Sequence, residues 1–230
     1  MTKFPSSESG FTIVESIMAI LVVAILLAAI APVIGLSVAN RAQAKRIEQG
    51  TNAARSYLDS LRTEELPSPP ISNNPLEDIE AYNVPNNFAC QRDRGEEDYE
   101  SPYIRCTRET TYEIVCVDGN GDDVCSTEQP GDMILQVAGS HRNASNNPTD
   151  REQEDLTEAG YELGLRVYRA EAFGEAGNLE IGTQAYTSAQ GVAQPRFPLW
   201  EMTTEMVSSD TNYNDLCNRI VDKDNRSCGR

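Results

Sequence analysis

Few residues in this chain have both a type and a setting that could do chemistry, and Glu15 is the most conspicuous. It is the only charge between Phe11 and Val38. From Ile17 to Val38 there are 22 residues, and Ser37 is the only side chain among them with a hydrogen-bonding group. A carboxylate in such surroundings costs several kcal/mol unless it is paired or neutralised. Glu15 therefore either meets a cation or snorkels to water at the edge of the apolar run. Six cysteines follow far downstream: Cys90, Cys106, Cys116, Cys125, Cys217 and Cys228. No two have the two-residue spacing of a zinc knuckle. An even count beyond an apolar segment points to disulfides in an oxidising compartment, with buried thiols as the alternative. The shortest loops pair neighbours: Cys90 with Cys106, Cys116 with Cys125, Cys217 with Cys228.

Asp118-x-Asn120-x-Asp122 places three oxygen ligands as a calcium loop begins. The match then fails, because Asp123 stands where such loops need glycine and Gln129 where they need glutamate. A calcium site of other geometry remains one reading. A hairpin turn rich in Asp, Asn and Gly is the commoner one, because such turns need positive φ. No other cofactor is implied. Catalysis has little to work with: His141 is the only histidine, so a histidine-based triad would have to use it. The many carboxylates form no pair of foreseeable separation, and no glycine-rich phosphate loop follows a strand. The sequence does not read as an enzyme.

The charge is unevenly placed. The net charge of −17 divides into six Lys/Arg against four Asp/Glu in residues 1–62, and 13 against 32 in residues 63–230. An acidic body without a basic patch disfavours nucleic-acid binding, and it favours solubility outside a membrane. The 168 residues after position 62 suffice for one domain with a core.

The elements that must position these residues follow from pattern. A helix needs roughly 20 apolar residues to cross a bilayer core of about 30 Å, and the run after Phe11 is long enough. Pro32, with Gly35 nearby, marks either a local melt or a passive kink. Residues 39–62 continue the helix, with Ile47, Ala54, Leu58 and Leu61 on one face. That stripe is expected to pack on the outer domain. Five prolines between Pro67 and Pro85 predict an extended surface loop over 63–89, and an acidic loop follows Cys90. Strands are predicted at Thr110–Val117, Met133–Ala138 and Tyr161–Val167, the last from strict alternation, with a start of a return strand at Val124–Cys125. Ser140–Asp155 reads as a polar loop. Short strands are expected near Leu179–Tyr186, and a strand or short helix at Leu199–Val207. The expected fold is α+β: a long N-terminal transmembrane helix on a small antiparallel sheet domain. Its divisions are 1–10 as a leader, 11–62 as the helix, 63–102 as a proline-rich and acidic loop, and 103–230 as a disulfide-containing sheet domain.

Gly10-Phe11-Thr12-Ile13-Val14-Glu15, with the apolar run behind it, resembles the cleavage and methylation motif of type IV pilins and type II secretion pseudopilins. The resemblance covers about residues 6–62. It implies that a membrane prepilin peptidase cuts between Gly10 and Phe11 and methylates the new amine. An ordinary secretory signal instead has its apolar segment before the cut. Glu15 then falls where the family keeps a glutamate, and Pro32 where many members carry proline. A methylated Phe11 amine is a cation at neutral pH, so Glu15 of one subunit can pair with the Phe11 amine of a neighbour. The implied partners are other pilin-like subunits and an inner-membrane assembly platform. The implied location is single-pass in the inner membrane, with a cytoplasmic N-terminus and the C-terminal domain periplasmic or in an extracellular filament. Arg41, Lys45 and Arg46 outweigh Lys3, so the positive-inside rule alone argues for the opposite orientation. The leader and the cysteines override it. Residues 31–48 and Tyr161–Phe173 are also similar to cyanobacterial pseudopilins of hormogonium polysaccharide secretion, which implies a role in polysaccharide export and gliding motility. Two alternatives stay open: a membrane-anchored envelope adhesin or binding protein that never polymerises, and an anchored envelope enzyme.

Overall fold

The structure is a computed structural model that describes residues 12–90, 103–122, 124–129, 131–145, 147–182, 196–209 and 211–213, apart from the side chain of Ala39. The architecture is α+β. Two compact units are present, one ending at Ala44 and the other starting at Lys45. The boundary lies inside helix α1, Ile13–Arg62.

In the first unit α1 begins at a defined cap. The Thr12 hydroxyl accepts the Glu15 N–H at 3.3 Å, and the Thr12 carbonyl accepts the Ser16 N–H at 3.2 Å. The acid at Glu15 lies in the first turn, where it meets the positive end of the helix dipole. Helix continues unbroken through Pro32, although proline leaves the Ala28 carbonyl without its usual donor four residues on. The large apolar side chains from Ile13 to Val38 are all exposed.

In the second unit α1 buries one face. Ala54, Leu58 and Leu61 lie in the core and Ile47 packs against it, as the stripe predicts, and Ala53 and Tyr57 join them. Each fully buried leucine contributes about 1.5–3 kcal/mol. The helix stops in a Schellman arrangement. Glu65 N–H donates to the Ser60 carbonyl at 3.0 Å and Glu64 N–H to Leu61 at 3.2 Å. Glu64 takes the left-handed position with φ 58°, a conformation that favours glycine.

The helix covers one face of an antiparallel sheet in the order β3 (Tyr103–Arg108), β4 (Glu113–Val117), β5 (Met133–Ser140), β6 (Tyr161–Arg169) and β8 (Trp200–Met206). Val115, Val117, Leu135, Val137, Leu163, Leu165 and Val167 point toward α1. The opposite face is covered as well, which the expected surface loop over 63–89 did not foresee. Strand β1 (Ile71–Ser72) pairs in parallel with β5. A 3-10 turn at Leu76–Asp78 and strand β2 (Asn83–Val84), paired with β7 (Gly177–Asn178), lie beyond it. Leu76 and Ile79 form one cluster with Ala138. Tyr82, Val84, Phe173 and Leu179 form another with Ile114, Cys116, Ile134 and Tyr168. The proline-rich stretch is thus a lid whose Leu76, Ile79, Tyr82 and Val84 cover this face, because a sheet apolar on both faces needs a second layer; Pro69, Pro70 and Ile71 are buried as well, Ile71 in the cluster on the α1 side. Strand β6 shows the consequence: the alternation is present, but Gly164, Arg166 and Tyr168 on its other face are buried too.

Four further points differ from the expectations. Residues 150–159 form helix α2 (Asp150–Ala159), not loop, capped by the Thr149 side chain, which accepts the Glu152 N–H. Glu154, Asp155 and other charges hid its single buried contact, Leu156. The chain after β4 makes turns rather than a return strand at Val124–Cys125. Strand β3 was not foreseen. Of the segment Leu179–Tyr186, residues 179–182 contain no strand, and the rest lie outside the described residues. Helix α2 grips the lid through one amide: Gln153 accepts from Ile71 N–H and donates to the Ile71 carbonyl, both at 3.0 Å.

Two substitutions test this layout by urea denaturation. Gly164→Ala places a Cβ 2.2 Å from Leu76 Cβ, so it is expected to lose about 1–3 kcal/mol, the usual cost of overpacking. Glu64→Gly relieves left-handed strain of about 1–2 kcal/mol against about 0.4–1 kcal/mol for the freer unfolded chain, so a net gain of about 1 kcal/mol or less is expected; a loss there would mean that the helix end is held by something other than its backbone.

Candidate functional site

Two features stand out from the residues upward: the exposed apolar length of α1 before Ala44, and the polar seam that seats α1 on the sheet after Lys45. The first is simple in chemistry. Up to Val38 its only charge is Glu15, exposed in the first turn, and no ion pair to it exists among the described residues. Among the described residues α1 is the one helix long and apolar enough to cross a membrane.

The seam centres on Glu113 of β4, which is 2% exposed. Its carboxylate accepts from the Tyr57 hydroxyl of α1 at 2.8 Å. On the other side stand Arg105 and Arg108 of β3, each 3.4 Å away. Beside them Tyr57 meets Tyr103 edge to face with centroids 5.4 Å apart, and the Ser56 and Tyr103 hydroxyls lie 2.6 Å apart. Burial pushes the Glu113 carboxyl above the ordinary carboxylate range. The Tyr57 hydrogen bond and then the two guanidinium groups pull it back in part. Burial first, then the Glu113 charge, pushes the Tyr57 phenol well above its ordinary value.

The opposite face has its own buried charge. Arg166 is 1% exposed, and its guanidinium reaches four groups. It donates to the Ile79 carbonyl at 2.7 Å, to Gln136 Oε1 at 3.3 Å and to the Leu76 carbonyl at 2.8 Å. Its Nε meets Glu201 Oε1 of β8 at 2.8 Å. These contacts bind the lid and the last strand to the centre of the sheet. Neither charged centre was singled out from the sequence. The available signals were a lone glutamate within the apolar run of β4 and an arginine on the supposed solvent face of β6.

The residues chosen from the sequence fall as follows. Gly10 and Phe11 lie outside the described residues, as do Cys217, Cys228 and Asp123. Glu15 and Pro32 lie on the exposed length of α1, and among the described residues no ion pair reaches Glu15. Cys90 and Cys106 are at disulfide distance, as are Cys116 and Cys125, the neighbour pairing. Asp118, Asn120 and Asp122 fold into a tight loop that they hold themselves. Asp118 Oδ1 accepts from Asn120 and Gly121 N–H, and Asp122 Oδ1 from Val124 N–H. Gln129 and Asn120 donate to Asp122 Oδ2. Asp132 closes the loop by accepting from Gly119 and Ser126 N–H. Among the described residues no group of three or more His, Cys, Asp or Glu is arranged to hold a metal ion. The turn reading accounts for these contacts. His141 is buried beside β1. Its N–H donates to the Ser72 carbonyl, and its Nδ1 accepts the Asn143 N–H at 3.1 Å, which is a turn-holding role.

The seam makes stability depend on pH. An acid raised on folding leaves the folded chain holding more protons than the unfolded one. Its contribution is complete below about pH 4, the unfolded value, and is lost as pH rises through the folded value. Relative to Glu113→Gln, the native protein is therefore expected to lose stability from about pH 4 upward, read as thermal midpoints in a pH series. A difference that grows with pH would contradict the assignment. On the alkaline side burial raises Tyr57, Tyr161 and Tyr168, and raises Tyr112 to about 12. The folded state should therefore weaken above about pH 10, where the unfolded phenols ionise.

Compared with protein-family models, with curated proteins and with solved structures, the chain matches none.

Proposed function

We propose that this protein is a non-catalytic, pilin-like (pseudopilin) subunit of the bacterial envelope. The apolar length of α1 anchors it in the inner membrane and then packs among neighbouring subunits of a type IV pilus or type II secretion-like filament. The observation that carries this reading is the contrast along one helix. Large apolar side chains from Ile13 to Val38 are exposed, while from Ile47 onward the same helix buries a stripe in a sheet domain. An exposed apolar surface of that extent needs lipid or protein around it. The sheet domain carries the acidic excess and the two described cysteine pairs, which suits an oxidising location outside the inner membrane.

In this reading Gly10–Phe11 is the bond cut by a prepilin peptidase, and the new Phe11 amine is methylated. Glu15 then has an intermolecular task, because a single chain supplies it with no cation among the described residues. Pairing with the Phe11 amine of a neighbour satisfies both charges in apolar surroundings and fixes the register of addition. Pro32, held in helix in the single chain, is the weak point at which α1 can loosen on packing. Secretion of polysaccharide for gliding is the most specific role that the sequence resemblance suggests.

Intact mass measurement of the protein from its native membrane tests the reading. A chain beginning at Phe11 and carrying one extra methyl is the expected result; a chain that keeps residues 1–10 sinks it. Glu15→Ala is expected to be cleaved normally but to stay out of filaments recovered by shearing. Normal incorporation would leave a membrane-anchored envelope binding protein as the better description.

A further inference from the structure

Cys106 occupies an irregular position that no part of the proposed function uses. In the β3–β4 ladder Tyr103 faces Val117, Ile104 faces Cys116 and Arg105 faces Val115; the register then shifts, so that Thr107 faces Ile114 and Arg108 faces Glu113. Cys106 is the inserted residue of a bulge, which re-aims the side chains beyond it. In an unshifted ladder Cys106 would oppose Ile114 and Thr107 would oppose Glu113. Arg108 would then turn to the other face, because alternation is strict. The bulge therefore delivers both Arg105 and Arg108 to the buried Glu113 carboxylate. Cys106 is held in that position from the far face, where Cys90, buried among Tyr82, Phe88 and Phe173, is at disulfide distance from it.

We infer that the Cys90–Cys106 disulfide is a redox-sensitive latch for the seating of α1 on the sheet. Oxidised, it pins the bulge, the bulge aims Arg108 at Glu113, and Glu113 holds the Tyr57 hydroxyl of the helix. Reduction by a dithiol releases it. A reductant thiolate attacks the sulfur of Cys106, a half-buried residue, and expels Cys90 as a thiolate. The second reductant thiol then displaces Cys106. Two electrons pass to the protein and the reductant ends as a disulfide. Without the pin the ladder can close its extra residue, Arg108 leaves the carboxylate, and a buried charge loses one of its donors. Arg105, Arg108, Tyr57 and Tyr161 are the titratable or charged groups facing Glu113 from β3, α1 and β6. The inference holds whether or not the protein enters a filament.

Amide hydrogen exchange on the full chain in detergent micelles tests it. In Cys90→Ser/Cys106→Ser, peptides from Lys45–Arg62 are expected to exchange about tenfold faster or more, the factor for losing one charge-assisted hydrogen bond. Peptides from β5 and β6 should stay protected. Cys116→Ser/Cys125→Ser is expected to leave the helix peptides unchanged. Arg108→Ala, which keeps both cysteine pairs, is expected to reproduce the acceleration, so the inference remains testable even if the serine variant does not fold. It is overturned if helix exchange is unchanged in Arg108→Ala. It is overturned equally if losing either cysteine pair accelerates the helix to the same degree.

Discussion

Glu113 lies under α1 with its carboxylate met by a phenol from the helix and by two guanidinium groups from the neighbouring strand. A charge buried to that degree is tolerable only while its donors remain in place, and this sets conditions on everything around it. The helix must present Tyr57 at one rotation only, and β3 must present two arginines on one face. Arg105 and Arg108 are three positions apart, and a regular strand would put them on opposite faces; the bulge at Cys106 brings both to one face. Apolar packing gives α1 its affinity for the sheet, but packing alone allows a helix to slide or rotate. The buried acid turns a greasy contact into a specific one.

Arg166 imposes the same discipline on the other face. Its planar fork is spent on two lid carbonyls, one amide and one carboxylate. The lid contains little regular structure, so its backbone groups need partners from elsewhere. Arg166 supplies donors to the Leu76 and Ile79 carbonyls, and Gln153 supplies both a donor and an acceptor to Ile71. Gly164 makes room for Leu76 at the point of closest approach. A proline-rich stretch that would be an unstructured cover is thereby fixed to the sheet at identifiable atoms.

Along α1 one element carries two kinds of surface. The length from Ile13 to Val38 is exposed and almost without polar side chains; the length from Ile47 to Leu61 is amphipathic and half committed to the core. A uniformly apolar helix gains by leaving water on every side, whereas an amphipathic one gains by covering one partner. The two halves thus ask for different environments, and this division underlies the proposal of a membrane-anchored, filament-forming subunit. The cap at Thr12 and the acid at Glu15 put the only charge of the first half at its very start.

Much of this was legible in the sequence where a pattern is local. The apolar run, the stripe Ile47, Ala54, Leu58 and Leu61, the strands at Met133 and Tyr161 and the neighbour pairing of four cysteines follow from period, composition and loop length. The position of Glu15 in its apolar run is likewise a property of the sequence alone. What needed the tertiary structure is non-local. Whether Arg166 faces water or a lid depends on 63–90 returning over the far face, and no period within β6 records that. Whether Arg108 reaches Glu113 depends on a one-residue register shift between Arg105 and Thr107, which no local pattern in β3 records. Side-chain alternation fixes only relative sides, so which side is buried, and which charges meet there, is decided when the second layer arrives.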